Sequence, residues 1–101
     1  MKGRRIENPN NITSEPVQPG DYWKDGSGRW YVAAPVPRDE DGFLLIADVS
    51  TWKSVIEHQD GTITVSPSIF WGSSGYPNSP REWAEKHTWH GFLEHGIWRR
   101  V

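Results

Sequence analysis

Apolar side chains in this chain come in short runs separated by glycine, proline and Asp/Asn-rich breaks, the pattern of short strands joined by turns. Tyr22 and Trp23 precede Asp25-Gly26-Ser27-Gly28, and residues 29–34 follow with aromatic and β-branched side chains, so this stretch reads as a hairpin. Pro35 and Pro37 end it. A charged turn over 38–42 leads to Phe43-Leu44-Leu45-Ile46-Ala47, whose unbroken apolar character predicts a central, buried strand. The clearest hairpin has arms 54–58 and 62–66 around Gln59-Asp60-Gly61. In its second arm Ile63 and Val65 point one way and Thr62, Thr64 and Ser66 the other, with Pro67 expected to close the strand.

After a Gly/Ser/Pro/Asn loop over 72–78, Ser79-Pro80-Arg81-Glu82 carries a helix start signal: a capping serine, proline at the first helical position and glutamate at the third. The predicted helix is short, about 80–86. A last hairpin joins 88–94 to 97–101 across His95-Gly96. With a two-residue turn there, Leu93 pairs with Trp98 and Phe92 with Arg99, which makes one face apolar and sets Arg99 beside His90 on the other. Gly91 is placed for the close approach of a neighbouring ring or backbone.

The expected fold is mainly β: a small antiparallel sandwich, roll or partly open barrel with one short helix, the alternative being an α+β domain with a single twisted sheet. Residues 1–19 are rich in proline and asparagine and hold three aliphatic side chains, Ile6, Ile12 and Val17, too few to offset chain entropy. They read as a loosely ordered N-terminal arm, with a single β-rich domain over 20–101.

Composition narrows the classes of function. A chain of 101 residues with mean hydropathy −0.74 has material for one small core and no second domain. Net charge is −2, which disfavours nucleic acid as a partner because phosphate neutralisation supplies most of that affinity. Cysteine is absent, so disulfides and thiolate chemistry are excluded. No apolar run approaches a membrane span and the basic N-terminal residues are not followed by an apolar stretch, so a cytoplasmic protein without a membrane partner is expected.

Candidate chemistry is sparse. His87 and His90 form an H-x-x-H pair with His95 close behind, but in a strand His90 and His95 are roughly 15 Å apart, which does not converge three ligands on a metal. No nucleophile elbow, HExxH or phosphate-cradling loop occurs, so neither catalysis nor a cofactor is expected. The unusual feature is seven tryptophans. Trp30, Trp52, Trp89 and Trp98 lie in or beside predicted strands and are assigned to the core. Trp23, Trp71 and Trp83 border turns, where a ring suits a protein partner or stacking on a base or sugar.

Three stretches, Gly20-Asp21-Tyr22-Trp23, the segment 57–69 with its phrase DGTITVSPSI, and the segment 88–98 with its phrase WHGFLEHGIW, resemble a family of small uncharacterised proteins of actinobacterial phages and their hosts. The resemblance covers about a third of the chain and implies a phage or prophage setting in a bacterial host cytoplasm, with no catalytic residue. Some similar proteins carry cysteines suggestive of metal binding, and this chain lacks the cysteines that would carry that role over. The reading that follows is a non-enzymatic protein that binds a host or phage macromolecule, foremost a protein, through Trp71, Tyr76, Arg81, Trp83, His90 and Arg99. The alternative is a small-ligand binder that stacks a nucleotide or sugar on exposed tryptophan. Exposed hairpin edges leave a homodimer open.

Overall fold

The computed structural model describes residues 1–9, 17–36, 44–71 and 89–101. Local turn chemistry sets its hairpins. Asp25 Oδ1 accepts hydrogen bonds from the Ser27 amide at 2.8 Å, the Ser27 hydroxyl at 2.7 Å and the Arg29 amide at 3.0 Å, and Gly28 supplies a φ of 91°. This loop joins β2 (Asp21–Lys24) to β3 (Trp30–Ala33), which pair antiparallel. β1 (Arg4–Arg5) lies parallel to β2 and β4 (Ile46–Asp48) antiparallel to β3, completing a sheet in the order β1-β2-β3-β4. A second sheet runs in simple sequence order through β5 (Ser54–Glu57), β6 (Ile63–Trp71), β7 (Trp89–Glu94) and β8 (Ile97–Arg100), all antiparallel.

The two sheets share one core. Tyr22, Trp30 and Val32 from the first and Ile63, Val65, Ile69, Trp89, Leu93 and Trp98 from the second are buried together. Burying an aliphatic side chain of this size contributes roughly 1.5–3 kcal/mol, and Ile63, Val65 and Leu93 are essentially inaccessible to solvent. Trp89 and Trp98 meet edge to face, centroids 5.3 Å apart, and the Trp98 indole N–H donates to Gly20 O at 2.8 Å, so the ring is buried with its polar atom satisfied. The architecture is the mainly β, open two-sheet arrangement expected from the turn spacing.

Several local expectations change. The one helix among the described residues is α1 (Val49–Trp52), a single turn capped by Asp48, whose carboxylate accepts from the Ser50 amide at 3.0 Å. The helix expected at 80–86 lies outside the described residues. β4 is an edge strand, not a central one: the run that contains it is cut short where Asp48 caps α1, and Ile46 is left exposed. Phe43 lies outside the described residues. Pro67 does not end its strand. β6 continues to Trp71 because Pro67 falls in a bulge, where Ser66, Pro67 and Ser68 stand opposite Phe92 alone and the ladder asks for no proline N–H.

The N-terminal segment also differs from the loose arm expected. Trp98 N donates to Met1 O and Gly3 N to Gly96 O, each at 2.7 Å, which lays residues 1–3 along the outer edge of β8. Arg4 then grips the buried Asp21 carboxylate through Nε at 3.2 Å and Nη2 at 2.9 Å. Residues 10–16 lie outside the described residues. Residues 1–5 thus tie an edge of one sheet to an edge of the other, while α1 makes the corresponding link from β4 to β5 on the opposite side.

Candidate interaction surface

Strand alternation builds two unlike faces on the second sheet. Trp89, Gly91 and Leu93 of β7 point into the core, so His90, Phe92 and Glu94 point out. The β7–β8 turn fixes the partners of those residues. His95 and Gly96 both have positive φ, 47° and 74°, the backbone of a two-residue turn whose twist matches its strands. The resulting register pairs Phe92 with Arg99 and Leu93 with Trp98, as the sequence suggests. On β6 the bulge adds two residues. An even number preserves the phase, so Ile69 still faces the core and Phe70 faces out, opposite His90.

The outward face therefore carries three rows. Phe70, His90 and Val101 form one end. Phe92 and Arg99, with the bulge serines beside them, form the middle, and Ile56, Thr64, Glu94 and Ile97 the other end. Phe70 is 59% exposed, Ile56 55%, Ile97 46% and Val101 71%, an apolar content well above what a solvated sheet face needs. Its polar groups are oriented. His90 Nε2 lies 2.9 Å from Ser68 Oγ, and Phe70 meets the imidazole edge to face at 5.6 Å. The Arg99 guanidinium sits 4.6 Å from the Phe92 ring centre and donates to Glu94 Oε1 at 2.7 Å, which holds a long side chain flat across the face.

Of the residues singled out in the sequence, His90 and Arg99 are brought onto this one face, flanking Phe92. Trp71 ends β6 with its backbone paired to Trp89. Tyr76, Arg81, Trp83 and His87 lie outside the described residues. Phe70, Phe92, Ile56 and Ile97 were not singled out. Phe92 and Ile97 were legible from the same alternation that placed Leu93 in the core; Phe70 required the length of the bulge.

Among the described side chains, this surface carries no tryptophan. Trp30, Trp89 and Trp98 are in the core, and Trp23 is buried on the opposite face of the first sheet, stacked on Tyr31 at 5.8 Å. The side chain of Trp52 lies outside what the structure describes.

Two other groupings stand apart. At the turn end of the second sheet the His58 and His95 rings stack at 3.7 Å, joined by Thr64 Oγ1, which lies 2.7 Å from His58 Nε2 and accepts from the His95 amide at 3.0 Å. Nearby Asp60 is held below the usual carboxylate range, first by the Thr62 hydroxyl and then by the Thr62 amide. A shallow groove of about 610 Å³ is lined by Arg5, Ile6, Glu7, Asn8, Lys24, Asp25 and Gly26. Its two cations converge on Glu57 at 3.0 Å each and lie over the buried Trp30 ring, so they are already neutralised in part and offer no free stacking platform. Among the described residues no three of His, Cys, Asp or Glu are placed to share a metal ion, and no helix is long and apolar enough to cross a membrane.

The fold and this surface define a small two-sheet β protein with one amphipathic outer face. No family model, curated protein or solved structure matches the chain.

Proposed function

We propose that this protein is a non-enzymatic binding module whose contact surface is the outer face of the second sheet and whose partner is a protein. The observation that carries the reading is Phe92 in the middle row of an outward sheet face with Phe70 at one end of it, bordered by Ile56, Ile97 and Val101 and oriented by His90 and Arg99. Rings at the centre of a patch with an arginine beside them are the composition that dominates protein–protein binding energy. The phage-like phrases in 57–69 and 88–98 make a host or phage protein in a bacterial cytoplasm the partner class. Stacking of a nucleotide or sugar on tryptophan is supported less well, because four of the seven tryptophans are buried.

The test is a paired surface variant, Phe70→Ser with Phe92→Ser, compared with the parent in affinity capture coupled to cross-linking. Both side chains leave solvent-facing positions, so circular dichroism should be unchanged while cross-links from the second sheet to captured protein disappear. A folded double variant that keeps every cross-linked partner refutes the assignment.

A further inference from the structure

We infer that the outer edge of β5 takes up an extended peptide segment of a protein partner as an added antiparallel strand. This rests on the reading of the partner as a protein and names the form in which it arrives, at the edge of the second sheet rather than over Phe70 and Phe92.

The hydrogen-bond phase of the sheet identifies the open groups. Residues facing each other across antiparallel strands alternate between pairs that exchange both main-chain bonds and pairs that exchange none. His58 N donates to Thr62 O at 2.8 Å, so the bonded pairs of this hairpin continue with Ile56 and Thr64, then Ser54 and Ser66. Gly96 N donates to Ile63 O at 2.9 Å, which agrees: Ile63 and Val65 turn their main chain the other way, towards β7. Val55 and Glu57, opposite Val65 and Ile63, therefore direct their N–H and C=O groups away from β6, at the edge where the sheet order ends. Among the described residues nothing bonds to these four groups. Ser54, Ile56 and Glu57 are exposed and Val55 half-buried, so the edge is open to solvent.

Two donors and two acceptors repeating at every second residue are complementary to the backbone of another strand. The open edge is four residues long, with α1 immediately before it and the 58–62 turn immediately after, which suits a linear segment better than the edge of a second folded sheet. Neighbouring side chains set the sequence it favours. Ile56 is 55% exposed, so a β-branched residue opposite it gains apolar contact. Lys53 continues the line of the strand in extended backbone, φ −128° and ψ 161°, and makes no ion pair among the described residues. An antiparallel segment passes Lys53 three positions after the residue opposite Ile56, where an acidic side chain meets the ammonium. The partner segment is thus apolar-x-x-acidic. A lysine beside an open edge also discourages indiscriminate strand pairing, so the acidic residue contributes selectivity.

Hydrogen exchange of the full chain, read by NMR, tests this with a capped probe, acetyl-Thr-Ile-Ser-Val-Glu-amide, N-methylated at its Ile and Val so that only the edge facing β5 can pair. In the free chain the Val55 and Glu57 amides should exchange faster than that of Ile56, and at about 1 mM probe both should slow by about tenfold. A probe methylated instead at its central Ser, which loses the donor to Val55 O, should leave them unchanged. Lys53→Glu should weaken the probe and favour its counterpart ending in lysine. Failure of either amide to slow overturns the inference, as does equal slowing by the Ser-methylated probe. Protection in the free chain that grows with its own concentration, the mark of a second copy at this edge, overturns it too. An unchanged preference in Lys53→Glu overturns the acidic position. Binding of the probe by Phe70→Ser with Phe92→Ser, which leaves this edge intact, separates a failure here from a failure of the contact face.

Discussion

Gly91 provides the sharpest quantitative test of the packing. It lies in the centre of β7 on the core side, where the Trp89 ring folds across it. A Cβ built at this position would fall 2.5 Å from Trp89 Cη2 and 2.8 Å from Cζ2, and closer still to the Arg99 carbonyl oxygen on β8. Ordinary contacts between carbons are about 3.5–4.0 Å, so the indole would need to withdraw by about 1 Å. Trp98 stands edge-on against that ring and blocks a simple swing, and Arg99 O belongs to the β7–β8 ladder, so relief means prising the two strands apart. Overpacking of this kind costs typically about 1–3 kcal/mol, and Gly91→Ala should lie at the top of that range. At about 4–8 °C per kcal/mol for a domain of this size, the melting temperature should fall by about 12–24 °C. Thermal unfolding followed by tryptophan circular dichroism measures it, with Gly26→Ala as the control, since a Cβ there meets nothing within 4 Å. A Gly91→Ala protein melting within about 2 °C of the parent would show that the Trp89–Gly91 packing is not as described.

Other consequences follow from the polar contacts. Arg4→Ala leaves the Asp21 carboxylate, only 2% exposed, with the Gln18 amide but without its guanidinium, and should cost about 2 kcal/mol in urea unfolding. Trp98→Phe keeps most of the packing but deletes the hydrogen bond to Gly20 O. It should cost about 1–2 kcal/mol, whereas Ile56→Thr on the outer face should change stability by less than about 0.5 kcal/mol. The Glu57 carboxyl is held below its ordinary value of 4.5, first by the Lys24 ammonium and then by Arg5. Its contribution is therefore complete above that value and lost as pH falls through the lowered one, so the acid limb of the stability curve should flatten in Glu57→Gln.

What the sequence revealed follows from which forces are local. Asp25-Gly26-Ser27-Gly28, Asp60-Gly61 and His95-Gly96 define their turns through side-chain hydrogen bonds and positive φ, and those turns fix the register of the three hairpins and hence the pairing of Phe92 with Arg99. Gly91 was legible for the same reason, since a glycine amid bulky neighbours asks what lies over it. The edge position of β4 was hidden because an unbroken apolar run looks alike in a central strand and in one truncated by a helix cap. Pro67 was misread as a stop because a bulge removes the need for its missing donor. The described bonds of residues 1–5 run to residues distant in the chain, and composition alone cannot foresee such contacts. On the surface, alternation identified His90 and Arg99, whereas Phe70 depended on an even-length bulge that no local pattern announces.

The segment from Met1 to Ile6 touches both sheets in succession, bonding to Gly96 of the β7–β8 turn and Trp98 of β8 and then to Tyr22 O through Ile6 N. Two sheets packed only through side chains can slide or breathe apart with their ladders intact. Here separation on that side also breaks main-chain hydrogen bonds, so the sheets open together or not at all. The first residues of the chain thus turn two modest layers into a single cooperative unit.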